Sequence, residues 1–85
     1  MAGGVVAQCR QVMQNLAIVL SSAGTSLERA VMARIYLTDF HDYEAVNAEY
    51  ARHFPAGRLP ARTTVGVTAL ALGGAVEIDL IARAS

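Results

Sequence analysis

The chain has no lysine, a single cysteine and few charges of either sign. Each shortage excludes something. Without lysine, seven arginines face seven acidic residues and the net charge is zero, so no basic footprint points to nucleic acid or to an anionic membrane. One cysteine cannot build an internal disulfide framework or a cysteine-rich zinc site. Long apolar runs are also missing. Leu16, Ala17, Ile18, Val19 and Leu20 form a continuous stretch, far short of the ~18–20 residues that cross a bilayer. Met1-Ala2-Gly3-Gly4 has neither the basic start of a secretory signal nor the second-position glycine of a myristoylation site. The expectation is a soluble, cytoplasmic chain with no membrane or nucleic-acid partner.

What is present is apolar surface. Apolar types make up 54% of the 85 residues and charged types 16%. A domain this small buries only about 60% of the surface its unfolded chain exposes, so the surplus has to face a partner chain or a missing part of the domain. Residues 1–85 are therefore expected to form a single domain that is oligomeric.

Spacing organises the chain. Over residues 5–23, Val5, Cys9, Val12, Met13, Leu16, Val19, Leu20 and Ala23 recur at intervals of three and four, with Gln8, Arg10, Gln11, Gln14 and Asn15 mostly opposite. This predicts an amphipathic helix, closed by Gly24 in the left-handed conformation. Thr25, Ser26 and Glu28 read as a cap opening a short turn. Alternation then takes over: Val31, Ala33, Ile35 and Leu37 share one face of a strand, and Met32, Arg34, Tyr36 and Thr38 share the other.

A second helix is expected from an acidic cap at Asp39 or Asp42 to Phe54, stopping before Pro55. Tyr43, Val46, Tyr50 and Phe54 form its apolar stripe. Asn47 lies on that stripe, whereas Glu44, Glu49 and Arg52 take the solvated face. Residues 55–60, with two prolines and a glycine, read as a loop. Two further strands, over 62–69 and 75–83 and joined through Gly73-Gly74, are expected to pair as an antiparallel hairpin. The order helix, strand, helix, strand, strand predicts an α+β layer with both helices on one face of the sheet and no cover on the other.

Three residues stand out for chemistry. Arg62 opens a strand of Thr, Val and Gly, where the fork of a guanidinium can grip a carboxylate bidentately; the spacing also fits an ion pair with Glu44 or Glu49. Glu77, between Val76 and Ile78, invites partial burial and a raised pKa suited to handling a proton, although Glu77 and Asp79 also fit the solvated alternation of an edge strand. Asn47, on an apolar stripe, needs hydrogen-bond partners, whether a loop carbonyl or a ligand. Cys9 sits on an apolar helix face and behaves as a small hydrophobe. His41 and His53 fall at opposite ends of one helix and make no local metal pair. No metal site, nucleophilic triad, phosphate-binding loop or dinucleotide fingerprint is present.

The string Pro60-Ala61-Arg62-Thr63-Thr64-Val65, followed by Val76-Glu77-Ile78-Asp79-Leu80-Ile81-Ala82, resembles the C-terminal motif of the Rid family. These are the RidA/YjgF-type reactive intermediate deaminases, also labelled endoribonuclease L-PSP. Gln11-Val12-Met13-Gln14-Asn15-Leu16, Ala23-Gly24-Thr25-Ser26-Leu27, Tyr36-Leu37-Thr38-Asp39-Phe40 and Ala45-Val46-Asn47-Ala48-Glu49-Tyr50 fit the same family in order.

The resemblance implies a chorismate-mutase-like α+β fold, homotrimers with sites at the subunit interfaces, and hydrolysis of 2-imino acids such as 2-iminobutanoate and 2-iminopropanoate. The products are 2-oxo acids and ammonia, and no cofactor is used. It also implies roles: Arg62 binds the substrate carboxylate, Glu77 handles the attacking water, and Asn47 lines the pocket. Thr64 stands where the family often has cysteine and keeps its backbone available to substrate. Family members carry further N-terminal strands, with a tyrosine and a Ser-Gly segment that help to form the pocket. This chain begins almost at the first helix, so an N-terminally truncated domain is expected. Alternatives are a non-catalytic trimeric module that binds small carboxylates or serves assembly, and a ribonuclease or translation inhibitor. The zero net charge and scattered arginines count against the last.

Overall fold

The computed structural model describes residues 4–55 and 58–84; residues 56–57 of the expected loop, the start of the chain at 1–3 and Ser85 lie outside the described residues. Helix α1 spans Val5–Ser22. Cys9 and Met13, four apart, are its fully buried residues, while Val5, Val12 and Leu16 pack at the margin of the core. It ends as its sequence predicts. Gly24 takes φ 80°, the Thr25 N–H reaches back to the Leu20 carbonyl at 2.9 Å and the Gly24 N–H to Ser21 at 3.1 Å, the paired bonds of a Schellman motif. A 3₁₀ turn follows over Leu27–Arg29. Ser26 does not cap it through its side chain; Thr25 Oγ1 instead donates to the Arg83 carbonyl at 2.6 Å.

Strand β1 covers Ala30–Leu37 and buries Ala33, Ile35 and Leu37, the face set by alternation. Asp39 accepts the His41 N–H at 2.9 Å, starting a 3₁₀ turn over Phe40–Asp42 that runs into helix α2, Tyr43–Ala51. α2 stops three residues before the expected Phe54, because Pro55 disfavours helical backbone in the residue ahead of it. The chain leaves as a turn, with the Phe54 N–H on the Ala51 carbonyl at 3.2 Å, and Phe54 remains buried beside Tyr50.

Two expectations fail here. Glu49 is not solvated: its side chain is 4% exposed, because α1 packs along α2 and covers that flank. The last two strands are not a hairpin. Strand β2, Ala61–Gly66, runs parallel to β1, and strand β3, Val76–Ala82, runs antiparallel to it, giving the order β2-β1-β3. β2 ends at Gly66 rather than at 69. The connection then crosses the end of β1, where Val67 N–H bonds the Leu37 carbonyl at 2.8 Å and Thr38 N–H bonds the Ala75 carbonyl at 3.2 Å.

The register fixes which side chains share a face. Arg62 stands opposite Ala33, and Thr64 opposite Ile35, so both lie on the helix-covered face with Val76 and Ile78. The other face carries three cross-strand rows: Ala61, Met32 and Ile81; Thr63, Arg34 and Asp79; Val65, Tyr36 and Glu77. No described element covers it, and Met32, Val65 and Ile81 are exposed. Its middle row is polar, with Arg34 Nε 2.9 Å from Asp79 Oδ1.

Candidate functional site

Arg62 is placed by two elements. β2 sets it on the inner face of the sheet, and α2 presents Tyr43, Asn47 and Tyr50 to it at helical intervals of four and three. One guanidinium Nη donates to Asn47 Oδ1 and the other to the Tyr43 hydroxyl at 3.0 Å. The guanidinium carbon lies 5.7 Å from the Tyr43 ring centroid and 5.6 Å from that of Tyr50, within range of cation–π attraction. Neither Glu44 nor Glu49 pairs with it. Among the described residues its partners are all neutral, so its charge is held in place and left uncompensated. Two of its five N–H donors are used.

This guanidinium borders a cleft of about 310 Å³ lined by Asn47, Tyr50, Ala51, Leu59, Pro60 and Arg62. Two further polar atoms at this face are buried without a partner, the Tyr50 hydroxyl and Thr64 Oγ1. Burial pushes the Tyr50 phenol above its ordinary pKa, against the opposing pull of Arg62, so it stays a neutral donor. A buried hydroxyl without a partner is costly unless something arrives to bond it. A cation with spare donors beside the idle Tyr50 hydroxyl is an arrangement for a small carboxylate; Thr64 shares the sheet face but does not line the cleft.

Glu77 is elsewhere. It is exposed, not partly buried as expected, and it lies on the bare face of β3 opposite Tyr36. Arg62 lies on the other face, with β1 between their strands. One chain therefore brings Arg62, Asn47 and Thr64 to one side of the sheet and leaves Glu77 on the other. Tyr43 and Tyr50 were missed as site residues. Their signal was in the sequence: both share the α2 stripe with Asn47 and so had to face whatever Asn47 faced.

Glu49 anchors a separate polar cluster. Its Oε1 accepts from Arg10 at 3.2 Å and Arg52 at 3.1 Å, and its Oε2 lies 2.9 Å from His53 Nε2. The His53 hydrogen bond, with help from Arg10 and Arg52, holds the carboxyl below its ordinary pKa against the upward push of burial. The Cys9 thiol is pushed up to about 11 by burial first and the Glu49 charge second, with Arg10 opposing, as suits a packing residue. Among the described residues no cluster of three His, Cys, Asp or Glu side chains could hold a metal ion, and no helix is long and apolar enough to cross a membrane.

The family described as endoribonuclease L-PSP matches residues 1–84. The chain belongs to this family. Among curated members, Protein DfrA of Myxococcus xanthus is 49% identical over 80 residues, which cover 94% of this chain and 60% of that protein. The 2-iminobutanoate/2-iminopropanoate deaminase of Capra hircus is 40% identical over 80 residues, covering 94% and 58%. A crystal structure described as a protein of unknown function of the conserved Rid protein family, YyfA from Yersinia pestis, superposes with a TM-score of 0.92 at 39% identity, over 96% of this chain and 65% of that one. The two helices on a mixed three-stranded sheet are thus the Rid/YjgF fold, and this L-PSP family chain spans about three fifths of the length of the curated relatives it matches.

Proposed function

We propose that this L-PSP family chain takes part in the hydrolytic deamination of 2-imino acids of the 2-iminobutanoate and 2-iminopropanoate type to 2-oxo acids and ammonia. The observation that carries the reading is Arg62: a guanidinium fixed by Asn47 and Tyr43, stripped of any carboxylate partner among the described residues, at the edge of a small cleft. It anchors the substrate carboxylate, with the Tyr50 hydroxyl as a further donor and Asn47 holding the anchor in place. Deaminases among the relatives support the same class of substrate.

Glu77 positions the water that adds to the imine carbon. Water adds its oxygen to the imine carbon while one of its protons passes to nitrogen; the new hydroxyl then gives its own proton to nitrogen as the C–N bond breaks, leaving the 2-oxo acid and ammonia. Because Glu77 and Arg62 lie on opposite faces of one sheet, the working pocket forms between copies, with one chain's Glu77 facing a neighbour's Arg62 cleft. The bare face with its apolar rows supports such packing, and a homotrimer is the arrangement the family resemblance favours. Imines hydrolyse readily, so positioning and electrostatics suffice without a strong nucleophile.

The experiment generates the imine in situ from an amino acid and follows 2-oxo acid release. The protein should exceed the buffer rate, and Arg62→Ala should return it to that rate. A wild-type rate equal to buffer overturns the reading. The separation of Glu77 from Arg62 favours one second reading, a module that binds small carboxylates without turnover. Saturable 2-oxo acid binding with no acceleration would select it.

A further inference from the structure

Of the seven arginines in the chain, four have partners in the structure: Arg10 and Arg52 on Glu49, Arg34 on Asp79, and Arg62 on Asn47 and Tyr43. The other three are not scattered. Arg29, Arg58 and Arg83, far apart in sequence, line one cleft of about 340 Å³ together with Ser26 and Glu28. Among the described residues none of the three forms an ion pair or a side-chain hydrogen bond. The backbones of Arg29 and Arg83 are nonetheless pinned to one another, and Arg58 sits in a local turn. The Arg83 N–H donates to the Arg29 carbonyl at 2.9 Å, the Arg83 carbonyl accepts from Thr25 Oγ1 at 2.6 Å, the Arg29 N–H donates to Ser26 at 3.1 Å, and the Arg58 N–H to Pro55 at 3.0 Å. The Ser26 side chain makes no cap bond, so its hydroxyl is unspent.

Three like charges gathered around one cleft repel one another, and one glutamate leaves two of them unbalanced. In a chain of zero net charge this concentration has a natural counterpart in an anion of more than one charge. We propose that Arg29, Arg58 and Arg83 form a binding site for a small phosphate-bearing anion, separate from the Arg62 cleft. A carboxylate offers two coplanar oxygens and a single charge, enough for one fork. A phosphate offers a tetrahedral set of oxygens and up to two charges, which several guanidinium forks can grip together. Glu28 repels a plain anion at one side of the cleft but accepts a hydroxyl, which favours a phosphate ester carrying one. A polynucleotide is disfavoured, because the chain's net charge is zero and Arg10, Arg34 and Arg52 are each held by a carboxylate.

The test titrates the full chain with inorganic pyrophosphate at physiological salt, by calorimetry and by amide chemical shifts. Saturable binding with shifts at Ser26, Arg29, Arg58 and Arg83 is expected. Arg29→Ala, Arg58→Ala and Arg83→Ala should each weaken it about tenfold; all three side chains are exposed, and circular dichroism checks that each variant is folded. A ribose phosphate should bind at the same residues. Shifts centred on Asn47 and Arg62, affinity unchanged in the triple variant, acetate competing as well as pyrophosphate, or single-stranded RNA binding more tightly than pyrophosphate would each overturn the proposal.

Discussion

Replacing Glu49 with glutamine separates the charge of a buried carboxylate from its shape. The side chain is 4% exposed and its oxygens have divided duties, Oε1 serving Arg10 and Arg52 and Oε2 serving His53. An ionised carboxylate only accepts, so His53 Nε2 carries the proton. A glutamine in the same rotamer still offers an acceptor to the two arginines but turns an N–H toward His53. Arg10 is 47% and Arg52 69% exposed, so each of those pairs is screened and contributes about 0.5 kcal/mol. His53 is only 20% exposed, and its bond to the carboxylate contributes about 1–1.5 kcal/mol. Glu49→Gln should therefore cost about 2 kcal/mol, a fall of roughly 10 °C in Tm for a domain of this size. Thermal melts at neutral pH measure it. The pH dependence carries its own sign. The Glu49 carboxyl is held below its ordinary pKa, so its contribution is complete above the ordinary carboxylate range and is lost as pH falls through the folded value. The two proteins should accordingly converge in acid. A variant melting within about 2 °C of wild type at neutral pH, or a gap between them that stays constant into acid, would refute the reasoning.

Other outcomes follow from single positions. With its pKa near 11, native Cys9 should react with iodoacetamide at mildly alkaline pH on the order of a hundredfold more slowly than in denaturant; Glu49→Gln should narrow that gap by removing a neighbouring negative charge. Leu72 is 100% exposed at φ 59°, a left-handed backbone that costs a side chain about 1–2 kcal/mol. Leu72→Gly should raise urea stability by about 0.5–1 kcal/mol after the entropy of glycine is deducted; a loss of stability would contradict this. Tyr50→Phe and Thr64→Val each remove a buried hydroxyl with no partner, so stability should hold or rise by about 1 kcal/mol, while Tyr50→Phe, at the cleft, should lower 2-oxo acid affinity measured by calorimetry.

The helices and the central strand were legible in the sequence because their signals are local. Cys9 and Met13 repeat at helical spacing, Ala33, Ile35 and Leu37 alternate, and Gly24 marks a helix end that only a left-handed residue closes. The pairing of β2 and β3 was not legible. The alternation of Val65 with Val67 continues after the chain has left the sheet, so the connection reads shorter than it is and looks like a hairpin. Glu49 reads as solvated because amphipathicity describes one helix, whereas its burial comes from α1 lying against α2; Arg52 and His53, three and four residues on, were the available hint. Arg62 was legible as a candidate, but its neutral partners depend on how α2 docks. The gathering of Arg29, Arg58 and Arg83 has no local trace at all, being made by the meeting of a turn, a loop and a strand end.

The strand order also dictates a sequence of events in synthesis. β1 is central, yet both of its partners are translated after it, and the seven residues of β3 emerge only after β2 is complete. A nascent chain that has reached Gly66 can hold both helices and a parallel pair, but Ile35 and Leu37 still lack the Val76 and Ile78 side of their core. Every sheet contact spans a large separation in sequence, which slows folding relative to a helical bundle of equal length and leaves the open edge of β1 available for mispairing. The strand that ends this exposure is the one that carries Glu77, so a chain released before it lacks both the second partner of β1 and that carboxylate.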